Sequence, residues 1–280
     1  MLKQNFKFQK VQSMFQCPLC KQVLHFANEG SLVCKYGHCF DISSKGYVNF
    51  VSNQKPSKGY NLMFFEKRRE FLQDGFYDHI VDAIADIIST RDNMLRIVEA
   101  GCGDGFYSQN LAKRTGADFF AFDLSKDAIK VASTGRNEVY WMVADIANIP
   151  LQNSSVNCIL NVFSPANYSE FRRVSAPDSI LVKAIPGKNH MRELRYAVHE
   201  QLRNAEYSNQ QVINNFKQHL NLVDRKLVNR TIVITKSQMQ TLLSMTPLMF
   251  NVESERTDCS DVTSVTVESE ILVGQFTSSG

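Results

Sequence analysis

Cys17-Pro-Leu-Cys20 and Cys34-Lys-Tyr-Gly-His38 are the residues best able to do chemistry near the start of this chain. Two residues separate the first pair of cysteines, three separate Cys34 from His38, and thirteen lie between the pairs. Thiolates and an imidazole at this spacing suit a tetrahedral zinc site. With four protein ligands no position remains for a reacting water, so such an ion holds shape and does no catalysis. Cys39 adjoins His38 and is sterically able to replace it. The competing view, buried thiols beside a surface histidine, explains neither pair spacing.

A second cluster begins at Glu99-Ala-Gly101-Cys-Gly103-Asp104-Gly105. Gly101 and Gly103 let the backbone turn tightly and approach a ligand closely. The loop has no lysine of the phosphate-binding P-loop type, which disfavours nucleotide hydrolysis. Gly105 follows Gly103 by two residues, not three, so the spacing departs from the dinucleotide fingerprint. An acid just before the first glycine fits S-adenosylmethionine (AdoMet), whose ammonium Glu99 would attract. Asp123 is placed to take the ribose hydroxyls, and Asp145, with Ile146, to meet the adenine amine. One acid at a strand end is unremarkable; three at successive strand ends converge on the ligand crevice of an open sheet. Cys102 reads as a small buried filler rather than a nucleophile.

The elements that must carry these residues follow from periodicity. Residues 14–50 form a small unit whose core is marginal without a metal. Residues 51–62 are polar, broken by Pro56 and Gly59. From Tyr77, Ile80, Ala83, Ile84, Ile87 and Ile88 share one helical face. Strands are predicted at Arg96–Ala100, Asp118–Phe122, Val139–Val143, Val156–Phe163 and Ser179–Ile185. Helices are predicted over Gly105–Lys113, over Lys126–Ser133 and around Phe171. This alternation implies a mostly parallel sheet. A long polar helical stretch is expected from His190 to about Leu220. Strands near Arg230–Ile234 and Thr263–Val273, with a helix at Lys236–Ser244 between them, would close the sheet as an antiparallel edge. The fold class is α/β: a Rossmann-like class I AdoMet-dependent methyltransferase sheet with a small N-terminal zinc-binding domain. The expected division is 1–50 for the zinc unit, 51–76 for a linker and connecting helix, and 77–280 for the methyltransferase domain.

Composition sets the limits. The 280 residues, 44% hydrophobic, suit one large and one small domain. A net charge of +3 does not by itself argue for nucleic acid. Seven cysteines without a leader-like apolar start suggest a reducing cytoplasm, and no run is long and apolar enough to span a membrane.

What is methylated is approached first by absence. Asn161-Val-Phe-Ser-Pro165-Ala166 lacks both the Asn-Pro-Pro-aromatic motif of exocyclic-amine methylation and a Pro-Cys nucleophile for carbon methylation. Methylation of a ring nitrogen needs neither; it needs an accessible lone pair, alignment and loss of a proton. Lys55, Lys58, Lys67, Arg68 and Arg69, interleaved with Tyr60, Phe64 and Phe65, favour RNA as the acceptor: cations for phosphates, rings for unstacked bases. The plainer reading of that stretch is a solvated linker and a charged helix face.

The chain resembles the bacterial large-subunit (23S) ribosomal RNA guanine-N1 methyltransferases with an N-terminal zinc finger. The resemblance is carried by Phe15-Gln-Cys-Pro-Leu-Cys20, Cys34 to Asp41, Gly46-Tyr-Val-Asn49, Arg68 to Tyr77, the Gly101 loop, Asp123-Leu-Ser-Lys126, Ala128-Ile-Lys130, Pro186 to Leu194 and Met245-Thr-Pro247. It implies zinc ligation by Cys17, Cys20, Cys34 and His38, with glutamine more usual where Cys39 stands. It also implies cofactor contacts from Tyr77, Gly103, Asp104 and His190. Relatives more often have Asp in place of Glu99. Members are associated with a guanine in one hairpin near the peptide exit tunnel, some with macrolide resistance, and they look dimeric. Two rival functions are a small-molecule methyltransferase and a non-catalytic RNA-binding assembly protein.

Overall fold

The structure, a computed structural model, describes residues 6–27, 30–52, 60–91, 96–135, 138–198, 208–249, 259 and 261–276. A short helix α1 (Lys7–Lys10) precedes four small strands: β1 (Leu24–Ala27), β2 (Ser31–Cys34), β3 (Cys39–Asp41) and β4 (Tyr47–Asn49). Helices α2 (Leu62–Gln73) and α3 (Asp78–Ser89) follow. The alternating segment is β5 (Arg96–Ala100), α4 (Phe106–Thr115), β6 (Asp118–Asp123), α5 (Lys126–Ala132), β7 (Tyr140–Val143), β8 (Val156–Val162), α6 (Tyr168–Val174) and β9 (Ser175–Pro186). The chain continues through α7 (Arg192–Ala197), α8 (Gln210–His219), β10 (Leu220–Val233), α9 (Lys236–Met245) and β11 (Ser264–Phe276).

Eight strands form one sheet in the order β10-β11-β9-β8-β5-β6-β7-β4. From β9 to β4 every pair is parallel, while β11 runs antiparallel to β9 and β10 antiparallel to β11. The chain leaves β5 in one direction, through β6 and β7, and returns to β8 on the other side. That reversal opens a crevice at the carboxyl ends of β5 and β8, where open α/β sheets bind ligands. Successive side chains on the central strands point to opposite faces. Ile97, Phe119, Ala121, Trp141, Leu160 and Val182 belong to the core under α2–α5 and α9. Val98, Phe120, Tyr140, Met142, Ile159 and Leu181 belong to the other core.

That second face is partly covered by the N-terminal unit rather than by a helix. Phe15 meets Phe120 at 5.9 Å and Phe8 meets Tyr140 at 5.7 Å between ring centroids. Full burial of one such ring is worth about 1.5–3 kcal/mol. Polar ties run alongside: Gln16 N donates to Pro150 O, Gln152 N to Met14 O, and the Asn148 amide to Pro18 O. The strands β1-β2-β3 form their own small sheet, but β4 pairs in parallel with β7 and is an edge of the main one.

Two expectations need correction. The polar stretch after His190 is not one helix: α7 ends at Ala197 and α8 starts at Gln210, with 199–207 outside the described residues. The strand expected near Arg230 begins at Leu220. Ten further residues join it because β11 supplies a full ladder, from Leu220 opposite Phe276 to Val233 opposite Ser264. As the edge strand it is mostly exposed and rich in charge, which hides the alternation a half-buried strand would show. Among the described residues no helix is long and apolar enough to cross a membrane.

Candidate active site and metal centre

The ligating atoms of Cys17, Cys20, Cys34 and His38 all lie within 4.8 Å of one another. Individual separations are 3.6 Å for Cys20 Sγ to Cys34 Sγ, and 3.5 and 3.4 Å from His38 Nδ1 to Cys17 Sγ and Cys34 Sγ. A tetrahedron with Zn–S near 2.3 Å and Zn–N near 2.0 Å has edges of roughly 3.5–3.8 Å, so the donor set fits zinc. Two tight turns make this cluster. Cys17 O accepts from Lys21 N at 2.8 Å, and Cys34 O accepts from Gly37 N at 2.9 Å with Gly37 at φ +82°. Cys39 is exposed and its thiol turns toward Asp41, outside the cluster.

A cavity of about 650 Å³ opens at the sheet reversal, within the size range of small-molecule sites. Tyr77, Glu99, Gly101, Gly103, Asp123 and His190 all line it. Asp104 lies behind the wall, 1% exposed and paired with Arg68. Asp145 is exposed away from the cavity lining, with its carboxylate accepting from Ala147 N at 2.9 Å.

The acids are held by backbone donors. Glu99, on β5, accepts from Ser108 N at 3.0 Å and from the Ser108 hydroxyl, both in the first turn of α4. Asp123, at the end of β6, accepts from Gly103 N at 2.9 Å and Ser125 N at 2.8 Å. Burial pushes the Glu99 carboxyl up to about 7, against the Ser108 bonds that favour its ionised form. Burial also raises Asp104 and Asp123 above the ordinary carboxylate range. A desolvated group of acids with raised affinity for protons equally favours a bound cation. Gly105 fixes the helix behind the loop: at φ +78°, an added Cβ would run into the Trp141 ring and Ala132.

His190 is held from β11. Its Nδ1 lies 2.8 Å from the Glu268 carbonyl oxygen, and the Glu268 carboxylate accepts from Asn189 N at 2.8 Å. Burial lowers the ring to about 4, so the imidazole is neutral near pH 7. Glu268 N also faces Nδ1, at 3.3 Å, but the shorter 2.8 Å approach to the carbonyl oxygen requires a proton on Nδ1, which leaves the lone pair on Nε2. Tyr77 packs edge to face against Phe163 and His190, and Phe163 and His190 are tilted against each other, with ring centroids 5.6–6.2 Å apart.

The wall opposite the glycine loop is Phe163-Ser164-Pro165, following β8. Phe163 sits at φ +49°, a strained shape for an aromatic residue. Two buried side chains hold this turn. Asn161 donates to Pro165 O at 2.8 Å and Ala100 O at 3.2 Å. Lys183, its neighbour on β9, donates to the Asn161 side-chain oxygen and to Ser164 O at 3.0 Å. Lys183 is 4% exposed, and burial lowers it to about 8.

The basic-aromatic stretch does not behave as a free RNA grip. Arg68 turns inward to Asp104, and Arg69 donates to Val131 O and Gln109. Phe64 and Phe65 are buried against the cavity beneath Asn61, which caps α2 by accepting from Phe64 N at 3.0 Å. Lys67 is exposed, and Lys55 and Lys58 lie outside the described residues. Sequence reasoning missed Arg68, Tyr107 and Phe163 as cavity residues. Arg68 carries a hint only through helical spacing, since it falls on the α2 face of Phe64, Phe65, Phe71 and Leu72.

Comparison with known proteins agrees with this architecture. A family profile described as "RlmA, N-terminal" matches residues 15–58, and one described as "Methyltransferase domain" matches 97–178. A chain of the solved complex between the Haloferax volcanii Trm112 methyltransferase activator and a methyltransferase superposes with a TM-score of 0.51. The match is 12% identical, covers 79% of this chain and 98% of that one, and shows the fold alone. The sheet order, the glycine loop and the profile match define a class I AdoMet-dependent methyltransferase carrying a zinc ribbon. YxjB of Bacillus subtilis, which bears a provisional 23S rRNA (guanine-N(1)-)-methyltransferase name, is 34% identical, with 94% of this chain and 97% of YxjB covered. The chain belongs to that family, the bacterial 23S rRNA guanine-N1 methyltransferases with an N-terminal zinc-binding unit. The 23S rRNA (guanine(748)-N(1))-methyltransferase of Streptomyces fradiae is 24% identical, over 83% of this chain and 84% of its own length.

Proposed function

We propose that this chain methylates N1 of one guanine in a hairpin of 23S ribosomal RNA, in the cytoplasm. One observation carries the reading: a cavity at the sheet reversal gathers Glu99, Asp123 and the glycine loop on one wall and a pinned aromatic turn on the other. When bound, AdoMet supplies an electrophilic methyl group; the remaining tasks fall to the chain. Asp123, already anchored by two backbone donors, keeps lone pairs for the ribose hydroxyls. Glu99 holds the ammonium, and Gly101 and Gly103 admit the donor close to the backbone. Asp104 acts through the loop and Arg68 rather than by contact, while Tyr77 and His190 close the cavity near Phe163. Asp145, outside the cavity lining, would reach the adenine end only from the exposed surface.

The acceptor is a guanine taken out of its stack and laid against Phe163-Ser164-Pro165. The buried walls exclude bulk water from the reacting atoms; N1 takes the methyl group as its bond to the donor sulfur breaks to leave a thioether, and the N1 proton ends in solvent at the cavity mouth. Cys17, Cys20, Cys34 and His38 hold the zinc. The exposed rim of that unit presents Leu19, Lys35 and Tyr36, with Lys35 Nζ 5.0 Å over the Tyr36 ring, as the surface for the hairpin. In keeping with the family resemblance, a homodimer would bring two such rims to one RNA.

Purified protein, AdoMet and 23S rRNA lacking the modification provide the test. Methylation at N1 blocks the Watson–Crick edge, so reverse transcription should stop at one protein-dependent position. Methyl incorporation without such a stop, or none into rRNA or ribosomal particles, would overturn the assignment.

A further inference from the structure

Two polar groups on the cavity wall have no ligand assigned to them in the reading so far. Arg68 projects from α2 onto the wall with 22% of its side chain exposed. Asp104 is its one hydrogen-bond acceptor among the described residues and is reached through Nη1, so Nε and Nη2 are uncommitted. Nη1 lies 3.7 Å from where a Cβ on Gly103 would stand, which puts the guanidinium beside the cofactor loop. Tyr107, the second residue of α4, also lines the cavity and is 3% exposed. Its buried hydroxyl has no hydrogen-bond partner. A buried orphan hydroxyl is rare enough to point to a missing ligand. Arg68 sits within electrostatic range of Tyr107, Tyr77 and Glu99.

We propose that Arg68 and Tyr107 form a carboxylate-recognition subsite, which holds the α-carboxylate of the methyl donor while Glu99 holds its ammonium. This rests on the reading that the cavity binds AdoMet, and it assigns the end of that ligand which the acids leave unrecognised. An amino-acid group is zwitterionic, so its site needs an anion and a cation side by side. Glu99 and Arg68 are such a pair. Arg195, the other arginine on the wall, belongs to α7 and donates to the Lys188 carbonyl. The net charges of site and ligand are also of opposite sign. Glu99, Asp104, Asp123 and Arg68 sum to two negative charges when ionised, and AdoMet with its sulfonium carries one positive. Asp104 orients the guanidinium, which leaves a second edge for a planar carboxylate. The Tyr107 hydroxyl donates to the same group.

Calorimetry of the full-length protein with AdoMet and with decarboxylated AdoMet, which lacks only that carboxylate, tests the assignment. Wild type should prefer AdoMet by about 100-fold, the range expected for a charge-assisted arginine contact. Arg68→Met should erase that preference and leave affinity for the decarboxylated ligand within about threefold. Tyr107→Phe should weaken AdoMet alone by about tenfold. The double variant Arg68→Met/Asp104→Asn removes the buried pair together, and so covers the case in which Arg68→Met alone does not fold. Asp123→Ala should weaken both ligands equally. Equal affinity of wild type for the two ligands, or equal losses for both in Arg68→Met and Tyr107→Phe, would refute the subsite and leave the methyl-donor reading standing. Failure of wild type to bind either ligand would remove that reading and the subsite with it.

Discussion

Replacing Glu99 by glutamine separates what this site costs from what it does. Glu99 is 1% exposed and its carboxyl rises from 4.5 to about 7 in the folded chain. The rise is a stability statement, because each pH unit is worth about 1.4 kcal/mol. An acid whose folded pKa lies above its unfolded value binds more protons when folded. It therefore imposes no penalty below about pH 4.5. It imposes a growing one between 4.5 and 7, and the full one above that. The ceiling is about 3 kcal/mol. Glutamine fills the same space, accepts from Ser108 and cannot ionise. The stability gained by Glu99→Gln should then be small at pH 5 and grow by up to about 3 kcal/mol by pH 8. Urea unfolding of cofactor-free protein at both pH values reads the difference directly. The same variant should bind AdoMet about 10–100-fold more weakly, having lost the anion opposite its ammonium. In wild type, cofactor binding near pH 6 should release a proton, visible as a buffer-dependent calorimetric enthalpy. A stability gap between variant and wild type that is flat from pH 5 to 8 would refute the reasoning.

Lys183→Met should lower turnover by about 10–100-fold while AdoMet affinity stays within about threefold, since it frees the Phe163 turn but leaves Glu99 and Asp123 in place. A parallel loss of cofactor affinity, or turnover unchanged in single-turnover assays, would contradict that role. Cys17→Ala should abolish zinc binding by metal analysis and lower the melting temperature by about 5 °C or more. It should lose RNA binding before cofactor binding. Full metal content in the variant would exclude Cys17 as a ligand.

The zinc cluster and the mostly parallel character of the strands were legible because each depends on short-range spacing or on apolar runs; the order of the strands in the sheet was not. Arg96–Ala100 and Asp118 onward match the observed strands closely because buried central strands carry uninterrupted hydrophobic signal. Asp123 and Glu99 were legible as strand-end acids. The failures share a cause in tertiary placement. β10 hides in polar sequence because its partner lies some forty residues away. Arg68 reads as a solvent or RNA cation until α2 is seen lying over the cavity. Tyr107 follows a glycine loop but nothing local says that its hydroxyl lacks a mate. Phe163 and Lys183 gain meaning only from the alignment of β8 with β9.

The three residues of β4 give the metal-bearing end a mechanical tie to the catalytic half. They hydrogen-bond to β7, which borders the strand that ends in Asp123. A chimera made by exchanging the first fifty residues with those of a distant relative would import a foreign border onto that sheet. The two halves are thus poor candidates for trading as cassettes. With the hairpin seated on the ribbon's outer rim as proposed above, a change of RNA target is more readily reached by point substitution there, with the joint left intact.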